Sequence, residues 1–150
     1  MRLILCVAVC VGTGWLGSLL TRPALMGWYE RLAKPAWTPP NWLFAPVWTV
    51  LYVVMGVAAW LVWRQSSLAS AAMLLFLVQL ALNLGWSAVF FRFCSPGWAF
   101  VEISMLWCAI LATTIAFHKT TVLAAWLMVP YLIWVSYAGA LNFAIWRRNT

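Results

Sequence analysis

Charged residues are scarce in this sequence. Only 7% of its 150 residues are charged, and Asp and Glu together number two. A soluble domain carries about 25% charged residues, because its surface must be hydrated. Since 67% of the residues are hydrophobic, we expect lipid to be the outer solvent. The composition predicts one integral membrane domain over residues 1–150, with no room for a separate soluble domain.

The residues that catalytic and metal sites usually need are also few. His118 is the only histidine, and we find no Ser/His/Asp set, no phosphate-binding loop and no paired carboxylates. The four cysteines have no CxxC spacing, which favours neither a disulfide framework nor a metal site. Glu102 lies about one turn into a predicted helix and is expected to reach the lipid headgroups, with proton coupling as the alternative. We therefore predict no catalytic residue and no bound metal.

The net charge of +7 comes from nine Lys and Arg residues. They lie at predicted helix ends rather than in one patch, which is typical of membrane-flanking anchors and not of a nucleic-acid site. Six of them fall on the side of the first loop, the third loop and the C-terminus, and three on the other side. The positive-inside rule then predicts a cytoplasmic C-terminus and an outside N-terminus, in a bacterial cell membrane.

The hydrophobic stretches predict an all-α membrane protein, a bundle of five transmembrane helices. Each stretch is close to the roughly 20 residues that a spanning helix needs. The first loop, residues 22–43, is longer than the others and holds four prolines and three tryptophans. We expect a short helix near 26–33 followed by an extended segment, and we interpret the loop as a lid. The predicted spans are about 3–21, 44–63, 68–91, 98–117 and 122–146.

Thirteen tryptophans are present, and an aromatic belt at the membrane surface accounts for those near span ends. Five others lie deeper, at a similar depth on five different helices. A buried indole N–H needs a partner that hydrocarbon does not offer. Ordinary helix packing could explain each one singly, but together they favour a shared aromatic cavity. These five are Trp15, Trp48, Trp86, Trp107 and Trp134.

Polar and aromatic residues share faces of the third and fifth predicted spans. Gln79, Asn83 and Trp86 follow a helical period on the third span, and Trp134 and Ala138 share a face of the fifth, with Asn142 at its edge. Polar side chains within spans usually face the bundle interior, where they join helices or line a cavity. Both interpretations remain open for these residues.

The opposite face of the third span is small and smooth. Ala81, Gly85 and Ala88 lie there. Small residues let two helix backbones approach closely, and this kind of packing drives association in lipid. The pattern predicts a homodimer through this face.

Four stretches resemble a known family. Trp28 to Pro40 (which includes KPAWTPP), Pro46 to Thr49, Gln79 to Phe91 and Val129 to Trp134 are similar to the tryptophan-rich TspO/MBR family. Its members are bacterial relatives of the mitochondrial translocator protein, once called the peripheral benzodiazepine receptor. The resemblance covers nearly the whole chain.

The resemblance implies a five-helix bundle with a pocket that the first loop closes. It implies binding of porphyrins, haem, and isoquinoline-carboxamide or benzodiazepine-type ligands, with no covalently bound cofactor. A sensor or translocator in tetrapyrrole or stress regulation is the implied function, and a photo-enzyme that degrades porphyrin in the same pocket is the alternative. By matching position, the pocket residues would be Trp37, Pro40, Trp48, Tyr52, Asn83, Trp86, Trp107, Trp134, Ala138 and Asn142.

The sequence departs from the vertebrate members at their cholesterol motif. That motif has a tyrosine near the C-terminus, where this chain has Phe143. A similar pattern at Leu25 to Arg31 lies in the first loop, and such patterns are weak. The departure argues against cholesterol as the natural ligand.

Overall fold

The computed structural model describes all residues, 1–150, and its regular structure is entirely helical. Five helices are long and apolar enough to cross a membrane, which confirms the predicted five-helix membrane fold. A sixth helix, α2, is a single turn within the first loop. The helices are α1 (Arg2–Leu25), α2 (Trp28–Arg31), α3 (Asn41–Trp63), α4 (Ala71–Ser87), α5 (Pro96–Thr120) and α6 (Val122–Arg148).

The first loop is shorter than predicted, at residues 26–40. Helix α1 continues through Arg22 and Pro23 to Leu25, because a proline in the last turn forgoes one backbone hydrogen bond without ending the helix. Helix α3 begins directly after Pro40, whose extended backbone (φ −63°, ψ 144°) forms the N-cap. The single-turn α2 lies inside the predicted 26–33 segment.

Helix α4 differs from the prediction at both ends. It begins after Ser70, whose hydroxyl accepts a hydrogen bond from the Met73 N–H (3.4 Å), so the span starts at 71 rather than 68. At its other end the chain forms a π-helical turn, Ala88–Arg92. Such a turn accommodates an extra residue and is frequent at functional sites.

Helix α1 packs closely on α3 and α4 through glycines. A Cβ atom at Gly56 would lie 2.6 Å from the Cα of Val7, and one at Gly14 would overlap the ring of Tyr52. Residues without a side chain are needed where two backbones approach this closely. On the next turn Gly17 faces Ser87 of α4. These contacts make α1 a wall of the bundle interior.

The first loop is docked on α6. The N–H of Ala33 donates to Asn149 Oδ1 and Asn149 Nδ2 donates to the Ala33 carbonyl, each at 3.0 Å. The Tyr137 hydroxyl donates to the carbonyl of Trp37 at 2.7 Å. The loop and the C-terminal end of α6 therefore lie at the same end of the bundle.

Candidate ligand-binding cavity

A cavity of about 460 Å³ lies between α1, α3, α4 and α6, at the end of the bundle where the first loop is docked. Its volume is within the roughly 300–1,000 Å³ typical of small-molecule sites. Helix α5 contributes no residue to its wall. Eight aromatic side chains line it: Trp15, Tyr29, Phe44, Trp48, Tyr52, Trp86, Phe90 and Phe91.

The structure brings six of the ten predicted pocket residues to this cavity. They come from α3, α4 and α6, and the two members on each helix are three or four residues apart. The six are Trp48, Tyr52, Asn83, Trp86, Ala138 and Asn142. The other four predicted residues do not line the cavity.

Trp134 and Trp37 lie behind the cavity wall. The Trp134 ring packs edge-on against Phe44, with centroids 6.1 Å apart, and Phe44 lines the cavity. Trp134 also contacts Tyr137, which in turn packs against Trp37 at 5.6 Å. These rings form a row from the cavity wall to the first loop, so both tryptophans support the wall and do not form its surface.

Trp107 and Pro40 are outside the cavity for different reasons. Trp107 is 36% exposed, and its indole N–H donates to Ser136 at 2.8 Å on the outer side of α5 and α6. It points away from the cavity. Pro40 is exposed and caps α3.

A buried hydrogen-bond network forms one side of the cavity. The Tyr52 hydroxyl donates to Asn83 Oδ1, Asn83 Nδ2 donates to the Tyr131 hydroxyl (2.8 Å), and that hydroxyl donates to Gln79 Oε1 (3.0 Å). Tyr52 and Asn83 line the cavity, whereas Gln79 and Tyr131 lie behind them. The polar residues thus both join helices and line the cavity. Gln79 Nε2 is buried without a partner.

A second network fixes another part of the cavity wall. The Trp86 indole N–H donates to Asn142 Oδ1 at 3.0 Å, and Asn142 Nδ2 donates to the carbonyl of Pro96 at 2.7 Å. These bonds tie α4 and α6 to the first residue of α5. The Trp86 ring is held in one orientation at the cavity surface.

Tyr29 on α2 is the first-loop residue that reaches the cavity. Its buried ring packs on Phe90 (6.2 Å) and Phe91 (5.7 Å) of the π-helical turn. Lys34 Nζ donates to the Tyr29 carbonyl at 2.7 Å and lies 4.8 Å from the ring centroid. Burial, and to a smaller extent the Tyr137 hydroxyl, raises the pKa of Tyr29, so its hydroxyl is neutral at physiological pH. Sequence reasoning placed Tyr29 in the loop without assigning it to the pocket.

The expectation for Glu102 is wrong. Its side chain is only 9% exposed, and neither carboxylate oxygen has a hydrogen-bond partner. It points toward α4, where a Cβ atom at Gly85 would lie 3.2 Å from Glu102 Oε1. The missing side chain of Gly85 leaves room for the carboxyl between the two helices, so Glu102 does not reach the headgroups.

The three residues of the predicted dimer face lie in different surroundings. Gly85 is directed partly at Glu102 of α5, within the same chain. Ala81 is exposed, and Ala88 at the start of the π-helical turn is half-buried. The exposed neighbours of Ala81 on α4 include Leu74, Leu77 and Val78.

The fold and the cavity define a class: a multi-pass helical membrane protein with an aromatic, ligand-sized interior site. The TspO/MBR family model matches residues 6–147. A tryptophan-rich protein TspO from Chlorobaculum tepidum is 43% identical, over 99% of this chain and 96% of the relative. The human translocator protein is 38% identical over 90% and 82%, and a tryptophan-rich sensory protein from Cereibacter sphaeroides is 37% identical over 95% and 88%. The chain belongs to the TspO/MBR family.

Proposed function

We propose that this protein is a membrane-embedded sensor or translocator that binds a tetrapyrrole, porphyrin or haem, in the cavity between α1, α3, α4 and α6. The proposal includes the cell membrane as its location, with the N-terminus outside and the C-terminus in the cytoplasm. Isoquinoline-carboxamide and benzodiazepine-type ligands would compete for the same site. Relatives named as a translocator and as a sensory protein support the general role.

The aromatic lining of the cavity is the observation that carries this proposal. Trp48 and Tyr52 of α3 stack with ring centroids 5.6 Å apart, and Trp86 of α4 lies beside Phe90 with centroids 5.4 Å apart. Several flat rings in one cavity suit a flat, largely apolar macrocycle. Polar groups are few, as in sites where hydrophobic contact supplies affinity and a small number of hydrogen bonds fix orientation.

A fluorescence titration of the purified protein tests the proposal. Protoporphyrin and haem should quench tryptophan emission saturably, with a dissociation constant on the order of micromolar, or about −8 kcal/mol. Titration in the dark separates binding from photochemistry. A sterol should give no saturable quenching. The absence of saturable quenching by both tetrapyrroles would contradict the proposal.

A matched pair of variants on α6 locates the site. Ala138 is buried at the cavity surface, whereas Ala140 is exposed on the outer side of the same helix. Ala138→Leu places extra atoms in the cavity and should lower porphyrin affinity about tenfold or more, while Ala140→Leu should leave it unchanged. Equal affinities for the two variants would place the ligand elsewhere.

A further inference from the structure

Arg22 is the charged residue that lines the cavity. Of the 24 residues that line the cavity, it is the only one with a charged side chain, and no carboxylate lines the cavity. It lies in the last turn of α1 and is exposed. An anionic group at the edge of the cavity can pair with a guanidinium while the apolar part of the ligand is buried among the rings. Arg22 is the cation available for that purpose.

Other basic residues at this end of the bundle do not serve the cavity. Lys34 Nζ already donates to the carbonyls of Tyr29, Glu30 and Leu32, at 2.7, 3.2 and 3.4 Å. Arg31 is exposed on α2 and does not line the cavity. Among the basic residues at this end of the bundle, Arg22 at the end of α1 is the one that lines the cavity.

Polar side chains accompany Arg22 at one edge of the cavity. Ser18, Thr21 and Asn41 line it at the end of α1 and the start of α3, together with the apolar Leu25 and Phe44. An apolar body would lie among the rings while an acidic group remains at the polar edge. A guanidinium suits this edge, because it pairs with a carboxylate through two parallel N–H···O bonds.

We propose that Arg22 is a specificity-determining residue, which selects ligands with a carboxylate at the polar edge of the cavity. This inference rests on the proposed function, because it assigns the acidic group of a ligand bound in the same site. It predicts that the protein distinguishes a porphyrin diacid from the neutral diester with the same ring.

The experiment compares protoporphyrin IX with its dimethyl ester in a neutral detergent, where no lipid phosphate competes. The wild-type protein should bind the diacid about tenfold more tightly than the ester. Arg22→Gln should lower diacid affinity to the level of the ester and leave ester affinity unchanged. Arg22→Lys should keep part of the preference, because it retains the charge. Arg31→Gln is the matched control and should behave as the wild type.

The outcomes separate the inference from the proposed function. If the wild type binds diacid and ester equally, or if Arg22→Gln weakens both by the same factor, the porphyrin site stands and the role of Arg22 is wrong. Arg31→Gln abolishing the preference would also overturn it. If the wild type binds neither compound, both proposals fail. A thermal unfolding curve for each variant shows whether the fold is intact.

Discussion

At the scale of single residues, two tryptophans make the same kind of hydrogen bond but lie in different surroundings. The indoles of Trp86 and Trp107 each donate to a side chain on α6, Asn142 and Ser136, but only Trp86 lines the cavity. We expect Trp86→Phe to weaken porphyrin binding five- to tenfold, on the order of 1 kcal/mol. Trp107→Phe should have no effect. Fluorescence titration measures both, and a loss with Trp107→Phe would contradict the placement of the site.

The only two acids offer a second comparison at this scale. Glu102 is buried without a partner, whereas Glu30 is exposed. Replacing an unpartnered buried polar group by an apolar one of similar volume is neutral or stabilising. We expect Glu102→Met to raise the free energy of unfolding by about 1–3 kcal/mol, and Glu30→Met to change it by less than about 0.5 kcal/mol. Thermal unfolding in detergent measures the difference. A lower unfolding temperature for Glu102→Met would show that the carboxyl has a partner in the membrane.

Helical period and depth each identified part of the cavity lining. Asn83 and Trp86 follow the period of α4, and both line the cavity. Trp134 was selected by period as well as by depth but lies behind the wall, because neither criterion shows how the neighbouring helices pack around a side chain. The burial of Glu102 was not predictable, because it depends on the space that Gly85 leaves on a neighbouring helix.

At the scale of elements, α2 closes the cavity through one residue. Tyr29 packs on Phe90 and Phe91, whereas Trp37 is 47% exposed and contacts Tyr137 outside the cavity. Loss of a closing contact should appear mainly in the dissociation rate. We expect Tyr29→Ala to accelerate porphyrin dissociation about tenfold, and Trp37→Ala to leave the rate unchanged.

Stopped-flow displacement measures these rates, and circular dichroism checks that helical content is retained. The lid function of the first loop remains a prediction until this is done. If both variants release porphyrin at the wild-type rate, the loop does not act as a lid.

The sequence predicted the existence of every long helix but not the π-helical turn that ends α4. The turn contributes both Phe90 and Phe91 to the cavity wall. Residues 88–92 contain no proline or glycine that would have indicated the π-helical turn. Trp15 was expected at a shared cavity and lines it, but the close approach of α1 at Gly14 and Gly17 depends on tertiary packing that the sequence does not show.

At the scale of the whole molecule, the exposed face of α4 remains the proposed homodimer surface. Ala81 is exposed on it, whereas Gly85 faces Glu102 within the chain. A large side chain at 85 would therefore disturb the fold as well as any dimer. We expect Ala81→Trp to convert a dimer into a monomer while porphyrin affinity stays within about threefold.

Light scattering coupled to size-exclusion chromatography measures the mass of the assembly in detergent. Ala140→Trp, at an exposed position on α6, is the control for adding an indole to a lipid-facing surface. If Ala81→Trp stays dimeric, subunits associate through another face.

The docking of the first loop on α6 has a consequence for biosynthesis. Asn149 bonds to Ala33 across 116 residues of chain, and Tyr137 bonds to Trp37 across 100. Chains emerge from the ribosome N-terminus first, so α1, α3 and α4 enter the membrane before α6 can supply these partners. Contacts between residues so distant in sequence form late, because the intervening chain must first be ordered. The hydrogen bonds that dock the first loop can therefore form only after α6 has been synthesised.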